Sequence, residues 1–193
     1  MEHGAQTESD QMQHDDAALS RFFRSVRNGA LAFAVVRVND EEIALDLLQE
    51  AMISFVPAAQ KHDEQIWKRL FYKILGRRIA DWQRKRIWRD RIARFTPFSA
   101  LPLTDSEEVI EFPDGGDEQP EQNHSAAQLA KRFETALAAL PPRQQEAYLL
   151  RQWQAFSVTE TAAIMGCSEG SVKTHLSRAI QSLKEQLGEW IDE

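Results

Sequence analysis

Residues 165–179 read MGCSEGSVKTHLSRA: a glycine, a serine-rich turn, then a basic amphipathic run. Gly166 suits the left-handed position that ends a helix, where a Cβ is unfavourable, and Ser168 is placed to cap the helix that follows. Just upstream, Ser157 with Glu160 three residues later forms the capping-box pattern at the head of the short, Ala-rich stretch VTETAAIM. Beyond the turn, Val172, Leu176, Ile180, Leu183 and Leu187 recur at helical steps and make one apolar stripe. Helix, glycine turn and capped helix together predict a helix-turn-helix. At about 100° per residue, Ser171, Thr174, Ser177 and Arg178 fall on the far side of the second helix, flanked by Lys173 and His175. Where such a unit reads DNA, the early residues of its second helix enter the major groove. Small hydroxyl side chains allow close approach, Arg178 can reach a guanine or a phosphate, and Lys173 suits a phosphate. Gly170 in the first turn leaves room for a nucleic-acid backbone near the helix N-terminus. A helical hairpin with a merely solvated polar face has the same spacing.

Composition narrows the choice. The chain of 193 residues is 42% hydrophobic and rich in Ala, Leu, Glu, Arg and Gln, with neither strand alternation nor internal repeats, so an all-α fold is expected. An apolar run of about 18 residues, the length of a membrane span, does not occur. The polar, acidic start MEHGAQTESDQMQHDD has no leader character, which points to the cytoplasm. A lone Cys167 excludes an internal disulfide, and the five His form no metal-ligand spacing with it, so no metal and no cofactor is expected. The net charge of −7 hides a strong segregation. Residues 68–94 hold eleven Lys or Arg against Asp81 and Asp90, a net of +9, whereas residues 104–121 hold eight acids and no Lys or Arg. Asymmetry of this kind is a better guide to partners than the mean.

The expected organisation is a polar, disordered tail over residues 1–14, a helical domain over 15–95, an acidic, Pro-containing flexible linker over 96–124, and a helix-turn-helix domain over 125–193. Within the first block, ALDLLQEAMISF places Leu47, Leu48, Ala51, Met52 and Phe55 toward a core and Asp46, Gln49, Glu50 and Ile53 on another face. The basic segment interleaves Trp67, Phe71, Tyr72, Trp82 and Trp88 with its cations, the mixture that a melted duplex needs for its phosphates and unstacked bases.

These motifs together resemble the extracytoplasmic-function (ECF) class of bacterial RNA polymerase sigma factors. About 50 residues of the C-terminal block carry the pattern: Leu140-Pro141, Leu150-Arg151, Ser157, Glu160, Ala162, Cys167, Gly170-Ser171-Val172, Leu176 and Arg178-Ala179. In the first block, Asp46-Leu47-Leu48-Gln49-Glu50 matches the family's core-binding string, and Asp81 with Arg84 matches its D-x-x-R. The resemblance implies a non-enzymatic protein that binds core RNA polymerase, through the clamp helices of the largest subunit and the flap, together with promoter DNA and an anti-sigma factor. It assigns Asp46, Gln49 and Glu50 to polymerase docking. It assigns Trp67, Lys73, Arg77, Arg78, Asp81, Trp82, Arg84 and Lys85 to binding and melting the −10 element. Ser168, Gly170, Ser171, Lys173, Thr174, His175, Ser177 and Arg178 fall to the −35 element. The linker, acidic enough to mimic a phosphate backbone, would thread toward the polymerase channels. One position departs from the pattern: Arg77 stands where relatives often carry an Asn that lines a flipped-base pocket, so only a backbone role carries over to it. A regulator with a sensory N-terminal domain has no need of DLLQE or the basic aromatic helix. A helical adaptor that binds only protein has no need of the +9 segment.

Overall fold

The computed structural model describes the backbone of residues 3–95 and 122–188, and among them every regular element is helical. Residues 96–121, where most of the acidic linker is expected, lie outside the described residues. Seven α-helices follow in order: α1 His3–Val38, α2 Glu41–Ala59, α3 Trp67–Phe95, α4 Gln122–Ala138, α5 Pro142–Tyr148, α6 Val158–Met165 and α7 Glu169–Leu187. The stretch expected as a tail is instead the start of α1, which begins at His3. Residues 5–27 contain no Gly or Pro, so nothing in that sequence interrupts the helix.

Local chemistry sets the ends. Asn39 takes the left-handed conformation (φ 54°) that an Asn tolerates and ends α1. Asp40 then caps α2 by accepting from the Ile43 backbone N–H at 2.9 Å. α1, α2 and α3 pack pairwise around Phe33, Phe55, Phe71, Leu75 and Ile79, all fully buried. Phe22 stacks on Phe55 at 4.9 Å and meets Trp67 and Phe71 edge-on at 5.6 and 5.8 Å, arrangements favoured by the ring quadrupole.

In the C-terminal unit α4, α5 and α6 pack on α7 or on one another around Leu137, Leu149, Leu150 and Val172. A π-helical turn, Leu149–Trp153, closes α5, and Ala155 follows with a positive φ of 56°. The expected helix-turn-helix is present in detail. Ser157 and Glu160 make both bonds of the capping box, Gly166 is left-handed (φ 63°), and Ser168 accepts from the Ser171 N–H at 3.1 Å.

The two helical units do not stand apart; their buried side chains form one continuous core. α6 packs on α3, and α4 and α5 meet α1. Across this contact Arg37 of α1 pairs with Glu146 of α5 at 3.1 Å, with side chains 1% and 5% exposed. Desolvation pushes the Arg37 pKa down, and Glu146 pulls it back up. Gln145 donates to the Val36 carbonyl at 3.2 Å. Gln154, presented by the π-helical turn, donates to the Gly29 carbonyl at 3.2 Å and accepts from the buried Tyr72 hydroxyl at 2.6 Å. Lys68 donates to the Gln154 carbonyl at 2.9 Å and lies 4.9 Å from the Phe156 ring centroid.

The cap of α6 makes an early stability test. Two hydrogen bonds from Ser157 hold the Glu160 carboxyl below the usual glutamate range. A lowered folded-state pKa contributes stability above the unfolded value and loses it as pH falls through the folded one. Ser157→Ala should therefore cost about 1 kcal/mol near neutral pH, and the difference from wild type should shrink on the acid side of the glutamate range. Urea melts at several pH values read this directly.

Candidate nucleic-acid interface

The second helix of the helix-turn-helix is held by its caps and by its apolar stripe. Val172 and Ala179 are fully buried, Leu183 and Leu187 nearly so, and Leu176 and Ile180 half-buried. This anchors α7 and turns Lys173, Thr174, Ser177 and Arg178 to the exterior. Steps of three and four place these four side chains close together on one surface. Ser168 and Ser171 are already engaged: their hydroxyls lie 2.9 Å apart within the cap, and Ser171 is half-buried. Thr174 donates its hydroxyl back to the Gly170 carbonyl at 2.9 Å. His175 is half-buried beside the stripe. A Cβ added at Gly170 would meet only the Ser168 hydroxyl, at an ordinary 3.8 Å. Nothing in the fold demands this glycine, although it costs a helix about 1 kcal/mol relative to Ala.

On α3 the buried side chains recur at steps of four, Trp67, Phe71, Leu75 and Ile79, and Tyr72 is fully buried beside them. Trp67, expected among the melting residues, is thus a core residue. It is 7% exposed, and its indole N–H donates to the His62 and Ala59 carbonyls at 2.9 and 3.3 Å. The first turn of α3 lies against the aromatic cluster, so its Trp is taken up by packing. Lys73, Arg77, Arg78, Arg84 and Lys85 are exposed, whereas Asp81 and Trp82 are half-buried. Asp81 pairs with Arg84, and the Arg86 guanidinium carbon lies 5.4 Å from the Trp82 ring centroid. After Ile79 only the half-buried Trp82 still packs against the core, and Gln83 and Arg86 occupy the other helical steps. Past that point Ile87 and Trp88 are 52% and 66% exposed among cations. Trp88, not Trp67, is thus the exposed tryptophan of α3, and the end of the apolar period is the sequence signal for it.

On α2, Asp46, Gln49 and Glu50 are exposed beside Ile53, which is 73% exposed. Glu50 is not free: it receives Arg78 at 3.1 Å, and Arg78 also donates to the Ser54 hydroxyl at 2.8 Å. The docking and melting sets, read separately in the sequence, thus touch at this bridge. On the C-terminal unit, Leu129, Phe133, Tyr148, Ile180, Leu183 and Leu187 line an open apolar groove of about 710 Å3. Among the described residues no three His, Cys, Asp or Glu gather as a metal site, and no helix is long and apolar enough to cross a membrane.

Comparison with known proteins follows the same division. Residues 130–183 match the family described as Sigma-70, region 4. The chain is 32% identical over 166 residues to the RNA polymerase sigma-E factor of Streptomyces avermitilis, covering 86% of this chain and 83% of that one. It is 28% identical over 179 residues to the ECF RNA polymerase sigma factor SigD of Mycobacterium tuberculosis, covering 90% and 78%. Its fold is similar to that of the sigma factor RpoE from Bartonella quintana, solved in complex with the anti-sigma factor NepR. That match has a TM-score of 0.67 at 23% identity, over 90% of this chain and 98% of the other.

The two tryptophans give opposite expectations for stability. Trp67→Ala should cost about 3–5 kcal/mol, the range for emptying a packed aromatic site. Trp88→Ala should stay within about 0.5 kcal/mol, as exposed substitutions do. Chemical denaturation of the two variants measures both.

Proposed function

Because the chain belongs to the ECF class of RNA polymerase sigma factors, which direct promoter-specific transcription initiation, we propose the following division of labour among its helices. α7 reads the −35 element, α3 binds and melts the −10 element, and α2 docks on the clamp helices of the largest polymerase subunit. The observation that carries this reading is the exposed quartet Lys173, Thr174, Ser177 and Arg178 on a helix whose opposite side is locked in the core. Arg178 is suited to a bidentate guanine contact, the Thr174 methyl to apolar contact with a thymine, and Lys173 to a phosphate. Ser168 and Ser171 then shape the helix start rather than read bases. Gly170 admits the DNA backbone.

For the −10 element the cations Lys73, Arg77, Arg78, Arg84 and Lys85 supply phosphate contacts, Trp82 flanks them, and Asp81 orients Arg84 through its ion pair. Trp88 offers an open face for an unstacked base. The apolar groove lies on the other side of α7 from Thr174 and Arg178, so it suits the polymerase flap without competing with DNA. An anti-sigma factor is a further proposed partner, as the sigma factor RpoE of Bartonella quintana has NepR. The bond-making chemistry belongs to the polymerase, and the proposed place of action is with it in the cytoplasm.

The reading as a whole is tested by mixing the purified chain with core polymerase. Co-elution and transcription from a specific promoter are expected, and failure of both would refute it. Docking is tested by Asp46→Lys with Glu50→Lys. The double variant should stay folded, since these side chains are exposed, yet bind core polymerase at least about tenfold more weakly, equivalent to roughly 1.4 kcal/mol. Unchanged affinity removes these residues from the interface.

Reading and anchoring separate in a randomised −35 library bound at two salt concentrations. Arg178→Ala should cost roughly 1–3 kcal/mol and relax preference at one base position. Lys173→Ala should weaken all sequences alike and lower the salt dependence by about one phosphate contact. An even loss across the library with Arg178→Ala would make that residue a phosphate anchor.

A further inference from the structure

The apolar stripe of α7 runs on in the sequence beyond the end of the helix. Val172, Leu176, Ile180, Leu183 and Leu187 recur at steps of three and four, and the same steps from Leu187 lead to Trp190 and Ile191. Ile180, Leu183 and Leu187 line the apolar groove of about 710 Å3, which α4 and α5 complete through Leu129, Phe133 and Tyr148. Leu129 is 38% exposed, and Phe133, Tyr148 and Ile180 are half-buried, so the packing of the described helices leaves this apolar surface open. Contiguous apolar surface of this kind marks the place where another surface is received.

Residues 189–193, with the sequence EWIDE, lie outside the described residues. Two properties of that sequence fit the groove. The first is reach. Trp190 follows Leu187, itself a groove residue, by three positions, which is at most about 11 Å of chain. The second is charge. Glu189, Asp192 and Glu193 are acidic and the segment holds no Lys or Arg, whereas Lys184 stands among the groove residues. Lys131 and Arg132 line a second cleft formed by the same two helices, α4 and α7. Acids flanking an apolar pair thus meet cations flanking an apolar seat, an arrangement that fixes register. A segment on so short a tether competes at an effective concentration on the order of millimolar, which a second copy of the chain or another protein must exceed.

We propose that Trp190 and Ile191 occupy this groove intramolecularly in the free chain, and that the polymerase flap must displace them. The first part stands on the groove and the sequence; the second rests on the function proposed above. The apparent affinity for the flap then falls by the fraction of molecules whose groove is open. The groove faces away from Thr174 and Arg178, so the seated segment leaves the DNA-reading quartet uncovered.

The seat is tested by NMR on the isotope-labelled full chain. The indole N–H signal of Trp190 is identified by its loss in Trp190→Phe. It should show nuclear Overhauser contacts to methyl groups of Leu129, Leu183 or Leu187 and keep them on dilution. Leu129→Asp places a charge at the exposed edge of the groove and should abolish these contacts while the rest of the spectrum stays dispersed. If that variant does not fold, a chain shortened to end at Gly188 decides the matter: fluorescence of an added anilinonaphthalene sulfonate dye should rise at least about twofold as apolar surface is uncovered. Absence of the contacts in the wild type, or unchanged dye fluorescence on shortening, overturns the seat. Contacts that fade on dilution together with a dimer mass in light scattering would place the segment in a second copy and likewise overturn it.

Displacement is tested separately, by binding to core polymerase. The chain ending at Gly188 should bind about two- to tenfold more tightly than the full chain. Unchanged binding overturns the competition, and weaker binding would make Trp190 and Ile191 part of the partner's seat instead. Failure of the full chain and the shortened chain alike to bind core polymerase would refute the sigma-factor reading, while the NMR contacts would still report on the groove.

Discussion

One helix, α3, has to satisfy three neighbours at once. Its buried stripe of Trp67, Phe71, Leu75 and Ile79 belongs to the packing with α1 and α2, while α6 covers another part of its surface. What is left exposed is the basic surface, with Lys73, Arg77 and Arg78, and the last turns, to which the proposed −10 role falls. The rest of the arrangement follows from that allocation. Trp67, Phe71 and Tyr72 are taken up by the core, and Trp88 stays exposed for the proposed contact with an unstacked base.

The interface between the two units differs in kind from either unit's interior. Inside the N-terminal unit the rings of Phe22, Phe23, Phe55 and Phe71 pack on one another, and burial of such surface is worth about 25 cal/mol per Å2. Between the units an ion pair, two glutamines and a lysine add polar bonds to the shared apolar core, in which Tyr72 meets Phe156 edge-on at 5.3 Å. A buried ion pair loses most of its Coulomb gain to desolvation, and the Arg37 Nε finds no hydrogen-bond acceptor among the described residues. The polar pairs give that contact specific placement within the apolar core.

In the helix-turn-helix, rigidity and reading compete for the same residue types. Ser157, Glu160 and Ser168 all act as caps, and Ser171 joins the cap through its hydroxyl. The hydroxyl-rich start of α7 therefore orients the helix, while the residues one and two turns later face outward. A reading surface tolerates little movement, and the capped ends with the left-handed Gly166 provide that constraint locally.

Much of this was legible in the sequence because it is local. The capping box, the left-handed glycine, the Val172–Leu187 stripe and the helix propensity depend on residues within a few positions of one another, so spacing alone revealed them. The family resemblance was legible for the same reason, since its motifs are short strings with fixed offsets. Which aromatic of α3 is buried depended on tertiary packing, because Trp67 and Trp88 have similar basic surroundings in sequence and only the former meets Phe22 and Phe55. The extension of α1 back to His3 was hidden by composition, which reads polar residues as a tail even where no helix breaker intervenes. The pairing of Arg37 with Glu146, more than a hundred positions apart, has no sequence signature at all. Charges of opposite sign are common in any chain, and only the packing of α1, α3 and α5 decides which two of them are shut away from water together.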